Sequence, residues 1–270
     1  MNYTHASVMD IQRSSPSTAV DRSVQRGFTL IELLVAILIG LFLTGGLLTL
    51  VQAMKSTSGT QTGLSELQDS ERMAMTLMAD VIESAGYFVD PVHFTAATAF
   101  PIAAPFPLAG QTVLGTGGYN DVAPDQTITV RYATSGTDNM IDCTGNTSAA
   151  ATTFINQFSL VADPNVANTY DLVCALGATQ VTLVTGLTNM QIYYGVQTNP
   201  GSSNGSVDTY LDANAVTAGN YWPNVMSVKV KLTFVNPLYG TLAGQTKSPN
   251  MPQTIPFERV IDIMNKAGAT

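Results

Sequence analysis

The chain has 270 residues, of which only 11% are charged, and 19 acidic against 11 basic side chains leave a net charge of −8. That balance excludes the basic footprint of a nucleic-acid binder, and Lys and Arg form no run anywhere. The length accommodates one or two domains with a sizeable core, and low charge with abundant Gly, Ser, Thr, Asn and Ala points to an exported protein rather than a cytosolic enzyme.

Residues 1–27 are polar, carry Arg13, Arg22 and Arg26, and show no helical or strand periodicity. From Phe28 to Val51 nearly every residue is apolar, the exceptions being Glu32, Thr29, Thr44 and Thr49. As a helix this run would be roughly 36 Å long, enough to cross a bilayer. Arginines ahead of it put the N-terminus in the cytoplasm. A cleaved secretory signal would have a shorter apolar core and a small-x-small site after it, and Glu32 would damage that core. A simple one-pass anchor would leave the carboxylate facing lipid, at about 2.5–3.5 kcal/mol for a central position and less near the end. A third reading gives the acid a cationic partner in an assembly.

The stretch "GFTLIELLVAILIG", from Gly27, closely resembles the class III signal of type IV pilins and type II secretion pseudopilins. The resemblance implies a leader, residues 1–27, cut by a prepilin peptidase at the Gly27–Phe28 bond. It implies N-methylation of Phe28 and a charge pair between Glu32 and the amine of a neighbouring subunit. A new cation and an opposite charge in low dielectric offset the burial of both. The implied leader is long, and Met9 is another candidate start.

Three glycines, Gly40, Gly45 and Gly46, are expected to interrupt the first helix, each weakening it by about 1 kcal/mol relative to Ala. Residues 52–86 resume the pattern: Leu64, Leu67, Ala74, Met75, Met78, Val81, Ile82 and Ala85 recur at three- and four-residue steps. Gly86 supplies the stop. The methionines read as core filler against a sheet.

Beyond Gly86 the periodicity becomes two. "QTITVRYAT" alternates Ile128, Val130 and Tyr132 against Thr129 and Arg131, and "VMSVKVKLTFV" alternates Val228, Val230, Leu232 and Phe234 against Lys229, Lys231 and Thr233. Each reads as a strand with one buried face. Further strands are expected over 154–161, 170–175, 180–184, 190–196 and 257–264, and long loops over 91–120, 197–223 and 236–256. The fold class is therefore α+β, a long N-terminal helix followed by an antiparallel sheet, with a β-rich head over 87–270. Cys143 and Cys174 form an even pair beyond the apolar run, which favours a disulfide on the oxidising side of a membrane over two separate buried thiols.

The segments "RMAMTLMADVIESAGYF", "ITVRYATSGTDNMIDCTGN" and "LTNMQIYYGVQTNPGSSNGSVDTYLDA" resemble the PilW group of minor pilins, with Tyr194, Gly195, Val196 and Trp222 at recurrent positions. The resemblance runs from Gly27 to the C-terminus, and it implies the ladle shape of a pilin.

Catalytic chemistry finds little support. His93 is the one histidine outside the implied leader, His5 lying within it, so no Ser/His/Asp or Cys/His set and no zinc cluster can be assembled. "GTGGYND", residues 115–121, lacks the helix context of a phosphate loop and reads as a turn. No enzyme and no cofactor are expected. Calcium has weak oxygen donors in Asn199, Ser202, Asn204, Asp208 and Asp212, without the alternating acids of an EF-type loop, and a plain solvent loop is favoured.

The resulting expectation is a minor pilin that primes pilus assembly and sits at or near the tip. Its partners would be other minor pilins, the major pilin, a large tip adhesin, the prepilin peptidase and the membrane, with no nucleic acid. The precursor would cross the inner membrane once with its C-terminus periplasmic, and would lie on the cell surface when assembled. A J-type minor pseudopilin of a type II secretion or DNA-uptake system shares the architecture. A membrane-anchored adhesive or carbohydrate-binding module is a third class, for which no head residue can be named from sequence.

Overall fold

The computed structural model describes residues 27–121, 123–199, 206–239 and 251–265. It divides into two units, Met1–Ala53 and Met54–Thr270, and helix α1, Leu30–Glu83, contributes to both. In the first unit every described residue is exposed. Gly40, Gly45 and Gly46 do not interrupt α1, contrary to expectation. A helix satisfies its own backbone groups, which an apolar run requires, and about 1 kcal/mol per glycine is small beside that. The hydroxyls of Thr44 and Thr49 also bond within the helix, donating to the carbonyls of Gly40 (2.7 Å) and Gly46 (2.8 Å).

In the second unit α1 buries Leu67, Ala74, Met75, Met78, Ala79, Val81 and Ile82, the stripe that three- and four-residue spacing demands. Met78 and Ile82 are fully enclosed, each burial being worth roughly 1.5–3 kcal/mol. After Glu83 the chain turns at Gly86, where φ is +78° and the amide donates to the Arg131 carbonyl at 3.0 Å.

All strand pairs are antiparallel. The strands are β1 (Val113–Thr116), β2 (Thr127–Thr134), β3 (Thr152–Ala162), β4 (Tyr170–Leu176), β5 (Thr179–Val196), β6 (Thr209–Leu211), β7 (Val225–Val235) and β8 (Thr254–Asp262). Their order is β1-β2-β3-β4-β5-β7-β8, with β6 on the C-terminal part of β5. The sheet's inner face closes over α1 with Ile128, Val130, Phe158, Leu172, Ile192, Val230 and Leu232.

Two expected strands, 180–184 and 190–196, are one strand. β5 pairs β4 up to Leu187 and β7 from Leu187 onward, with register shifts beside that residue. Gly186, φ +80°, supplies the backbone bend that allows one strand to serve both halves. The expected loop 91–120 contains a short helix α2 (Ala96–Ala99) and β1, and the expected loop 197–223 contains β6 and helix α3 (Ala213–Ala218). A 3-10 turn, Trp222–Asn224, leads into β7.

β2 departs from the single buried face expected of it: Thr129 and Arg131 are as enclosed as Ile128 and Val130. The segment between α1 and β1 supplies carbonyls and rings to that outer face. Arg131 donates to the carbonyls of Gln111 (2.6 Å), Pro101 (2.9 Å), Phe100 (3.2 Å) and Leu108 (3.4 Å), and its guanidinium carbon lies 4.3 Å from the Phe106 ring centroid. Desolvation lowers the Arg131 pKa from its ordinary value.

Candidate functional site

Gly27, Phe28 and Glu32 lie together at the start of the described part of the first unit. Phe28 is 84% exposed, and the apolar side chains that follow it are exposed as well, among them Leu30, Leu38, Leu41 and Phe42. A contiguous apolar surface of this extent needs lipid or protein around it. By length and composition α1 is long and apolar enough to cross a membrane.

Thr29 opens α1. Its carbonyl accepts from the amides of Glu32 (3.1 Å) and Leu33 (3.2 Å), and its hydroxyl accepts from Glu32 N–H at 3.4 Å. Glu32 therefore occupies the third helical position, where a carboxylate meets the positive end of the helix dipole. The sequence carries this in Thr29-x-x-Glu32, the pattern of a capping box, a signal that the reading of Glu32 as a pure assembly charge overlooks.

In the second unit Cys143 and Cys174 are joined by a disulfide that ties the turn after β2 to the middle of β4. Of the calcium candidates, Asn199, Asp208 and Asp212 are described. Asp208 accepts from Thr198 N (2.8 Å), Thr198 Oγ1 (3.1 Å) and Asn199 N (3.2 Å), pinning the chain on both sides of the β5–β6 connection. Asp212 caps α3 through Ala215 N (2.7 Å) and holds Tyr119 N at 2.8 Å. Both carboxylates are thus engaged by protein donors, and Ser202 and Asn204 lie outside the described residues. His93 stands in an exposed turn with Nδ1 2.8 Å from Asp90 Oδ2.

Tyr194 and Trp222 are buried edge to face, ring centroids 4.9 Å apart, and Val196 lies in the same core. Gly195 leaves room for Tyr210, whose Cε1 lies 3.0 Å from the place of a β-carbon. The residue before them, Tyr193, points the other way, to the outer face of the sheet, where it is paired across strands with Lys229.

Residues 159–256, which run from the middle of β3 into β8, match the family model described as Type IV Pilus-assembly protein W. Residues 22–48, around Gly27, Phe28 and Glu32, match the prokaryotic N-terminal methylation motif. Both matches are consistent with a PilW-family type IV minor pilin. No curated protein and no solved structure matches it. Both matched families are structural rather than enzymatic; together they support a pilin role and imply interaction with other pilins and with a prepilin peptidase. The apolar helix and the motif point to a membrane-anchored precursor.

Proposed function

We propose that this chain is a PilW-type minor pilin that is cut at Gly27–Phe28, methylated at Phe28, and joined to a small tip complex that primes pilus assembly. The carrying observation is the exposed apolar helix of the first unit, which opens on the methylation motif and bears a single acid, Glu32, in its first turn. Before cleavage the N-terminus is cytoplasmic, because Arg13, Arg22 and Arg26 precede the helix and no lysine or arginine lies between Phe28 and Val51. The head, with its disulfide, then faces the oxidising periplasm, and reaches the cell surface on assembly.

Glu32 serves assembly through charge. Cleavage places the Phe28 amine four residues before a carboxylate already favoured at a helix start, and the same carboxylate can reach a neighbour's amine in an apolar environment. Its partners are other minor pilins, the major pilin and a tip adhesin. The test is mass spectrometry of this subunit recovered from sheared filaments. A mature N-terminus at N-methyl-Phe28 is the expected result; an intact leader in cells with active prepilin peptidase overturns the reading.

A further inference from the structure

On the outer face of the sheet, away from the α1 side, lies an open cleft of about 500 Å3, within the range of small-ligand sites. Its floor is a cross-strand array from β5, β7 and β8: Tyr193 opposite Lys229, and Lys231 opposite Glu258. Tyr210 on β6 and Tyr119, at the turn after β1, close two sides. The Tyr119 and Tyr193 ring centroids are 6.0 Å apart, tilted by 54°.

The charges in the cleft are not equivalent. Lys229 is held three ways: its ammonium lies 5.1 Å from the Tyr193 centroid, 5.1 Å from that of Tyr210, and 3.7 Å from Glu258 Oε1. Asp212 is engaged by two backbone amides. Lys231 has no ion pair or hydrogen bond among the described residues, although it is half-buried beside Glu258. The hydroxyls of Tyr119 and Tyr193 are likewise without a hydrogen bond among the described residues, and desolvation first, then the nearby Tyr119, Glu258 and Asp212, raises the Tyr193 pKa and keeps its hydroxyl a neutral donor. The open functionality is therefore two aromatic faces, two hydroxyls and one cation.

We propose that this cleft binds an acidic saccharide, a pyranose unit stacked on Tyr119 or Tyr193 with its single carboxylate on Lys231. The C–H face of a pyranose ring fits the flat face of a tyrosine, and its hydroxyls match the phenols and Glu258, while tyrosine gives this contact at low cost in side-chain entropy. One unpaired lysine suits one carboxylate. A polyanion such as nucleic acid is disfavoured by the two carboxylates in the cleft and by the net charge of −8. The proposal is independent of filament assembly, since binding is measured on the unassembled chain.

The experiment titrates the full chain, held in a detergent without a sugar head group, with the methyl glycoside of galacturonic acid and with its methyl ester, which keeps the ring and removes the charge. Saturable binding of the acid with a Kd of roughly 0.1–1 mM, and binding of the ester weaker by about tenfold, is expected. Lys231→Gln lowers the affinity for the acid to that of the ester and leaves the ester unchanged. Tyr119→Ala, on an exposed ring, weakens both. Lys231→Arg retains the preference for the acid, and thermal melting of each variant separates lost binding from lost folding. Absence of saturable binding by about 10 mM, equal binding of acid and ester, or indifference to both substitutions in folded variants overturns the proposal.

Discussion

The hydroxyl of Tyr194 occupies the place where a β-carbon on Gly115 would stand, and the ring carbon bearing it is next in line. β1 can therefore cover the β5 core only with glycine at this position. Gly115→Ala should destabilise the head by about 1–3 kcal/mol, the usual cost of overpacking. The same hydroxyl is buried with no hydrogen-bond partner among the described residues. Tyr194→Phe should then be close to neutral, because it removes an unsatisfied group along with its volume. In the double variant Tyr194→Phe should recover part of the Gly115→Ala loss, leaving the clash with the ring itself. Urea denaturation of the four proteins gives the coupling directly.

Arg131 and the carbonyls around it make a second prediction. Four acceptors, on Phe100, Pro101, Leu108 and Gln111, meet one guanidinium, with the Phe106 ring stacked on it. Arg131→Met removes a buried charge but orphans those carbonyls, and should cost about 3 kcal/mol. Arg131→Lys should fail to restore stability, since a single ammonium cannot span carbonyls that a planar fork reaches together. Hydrogen exchange should rise over 88–111 while β5 and β7 keep their protection.

Arg131 also marks where the sequence stops being legible. The alternation in β2 reads as one wet face, because the segment that dries it is distant along the chain and has no periodicity of its own. The second half of α1 and β7 are legible, since their patterns of 3.6 and 2 are local and each buries only one side. β1, β6 and α3 are too short to carry a period, and only their pairing partners define them. Continuity of β5 hides behind Gly186, which lies between the two expected strands and acts as a bend within one. The N-terminal motif is legible because it is wholly local. The tyrosine–lysine cleft is not, being assembled from six separate parts of the chain, from the turn after β1 to β8.

The turn after β2 should respond to acid. Asp138 accepts from the Thr134 hydroxyl and from Ser135 N–H, which holds its pKa at about 2 against an ordinary 3.8. A carboxylate depressed on folding contributes stability that is full above the unfolded value and is lost as pH falls through the folded one. Wild type should therefore exceed Asp138→Ala in stability at neutral pH, and the gap should close as the pH falls from about 3.8 to about 2. Urea midpoints at several pH values test this, and a pH-independent gap would contradict it.

The disulfide spans 31 residues of chain. By loop-closure entropy, opening it should cost the head about 3.5 kcal/mol. The double variant Cys143→Ser and Cys174→Ser should show that loss in a reducing or an oxidising buffer alike. The intact protein should show it only with reductant. Equal urea midpoints for intact and variant protein under oxidising conditions would mean that the bridge constrains nothing the fold does not already hold.

Glu32 has two physical roles that substitution can separate. As the third residue of α1 it meets the helix N-terminus beside Thr29, and as a carboxylate in an apolar run it can neutralise an amine. Glu32→Gln keeps the length and the capping geometry of Glu but removes the charge. If charge pairing drives assembly, Glu32→Gln and Glu32→Leu should both insert into the membrane normally and both be depleted from sheared filaments. If the capping role dominates, Glu32→Gln should assemble like wild type and Glu32→Leu alone should fail. Quantitative immunoblotting of membranes against filaments distinguishes the two. The pairing role predicts depletion of roughly tenfold or more in both variants, since losing the partner of a charge in a low-dielectric setting costs more than 1.4 kcal/mol.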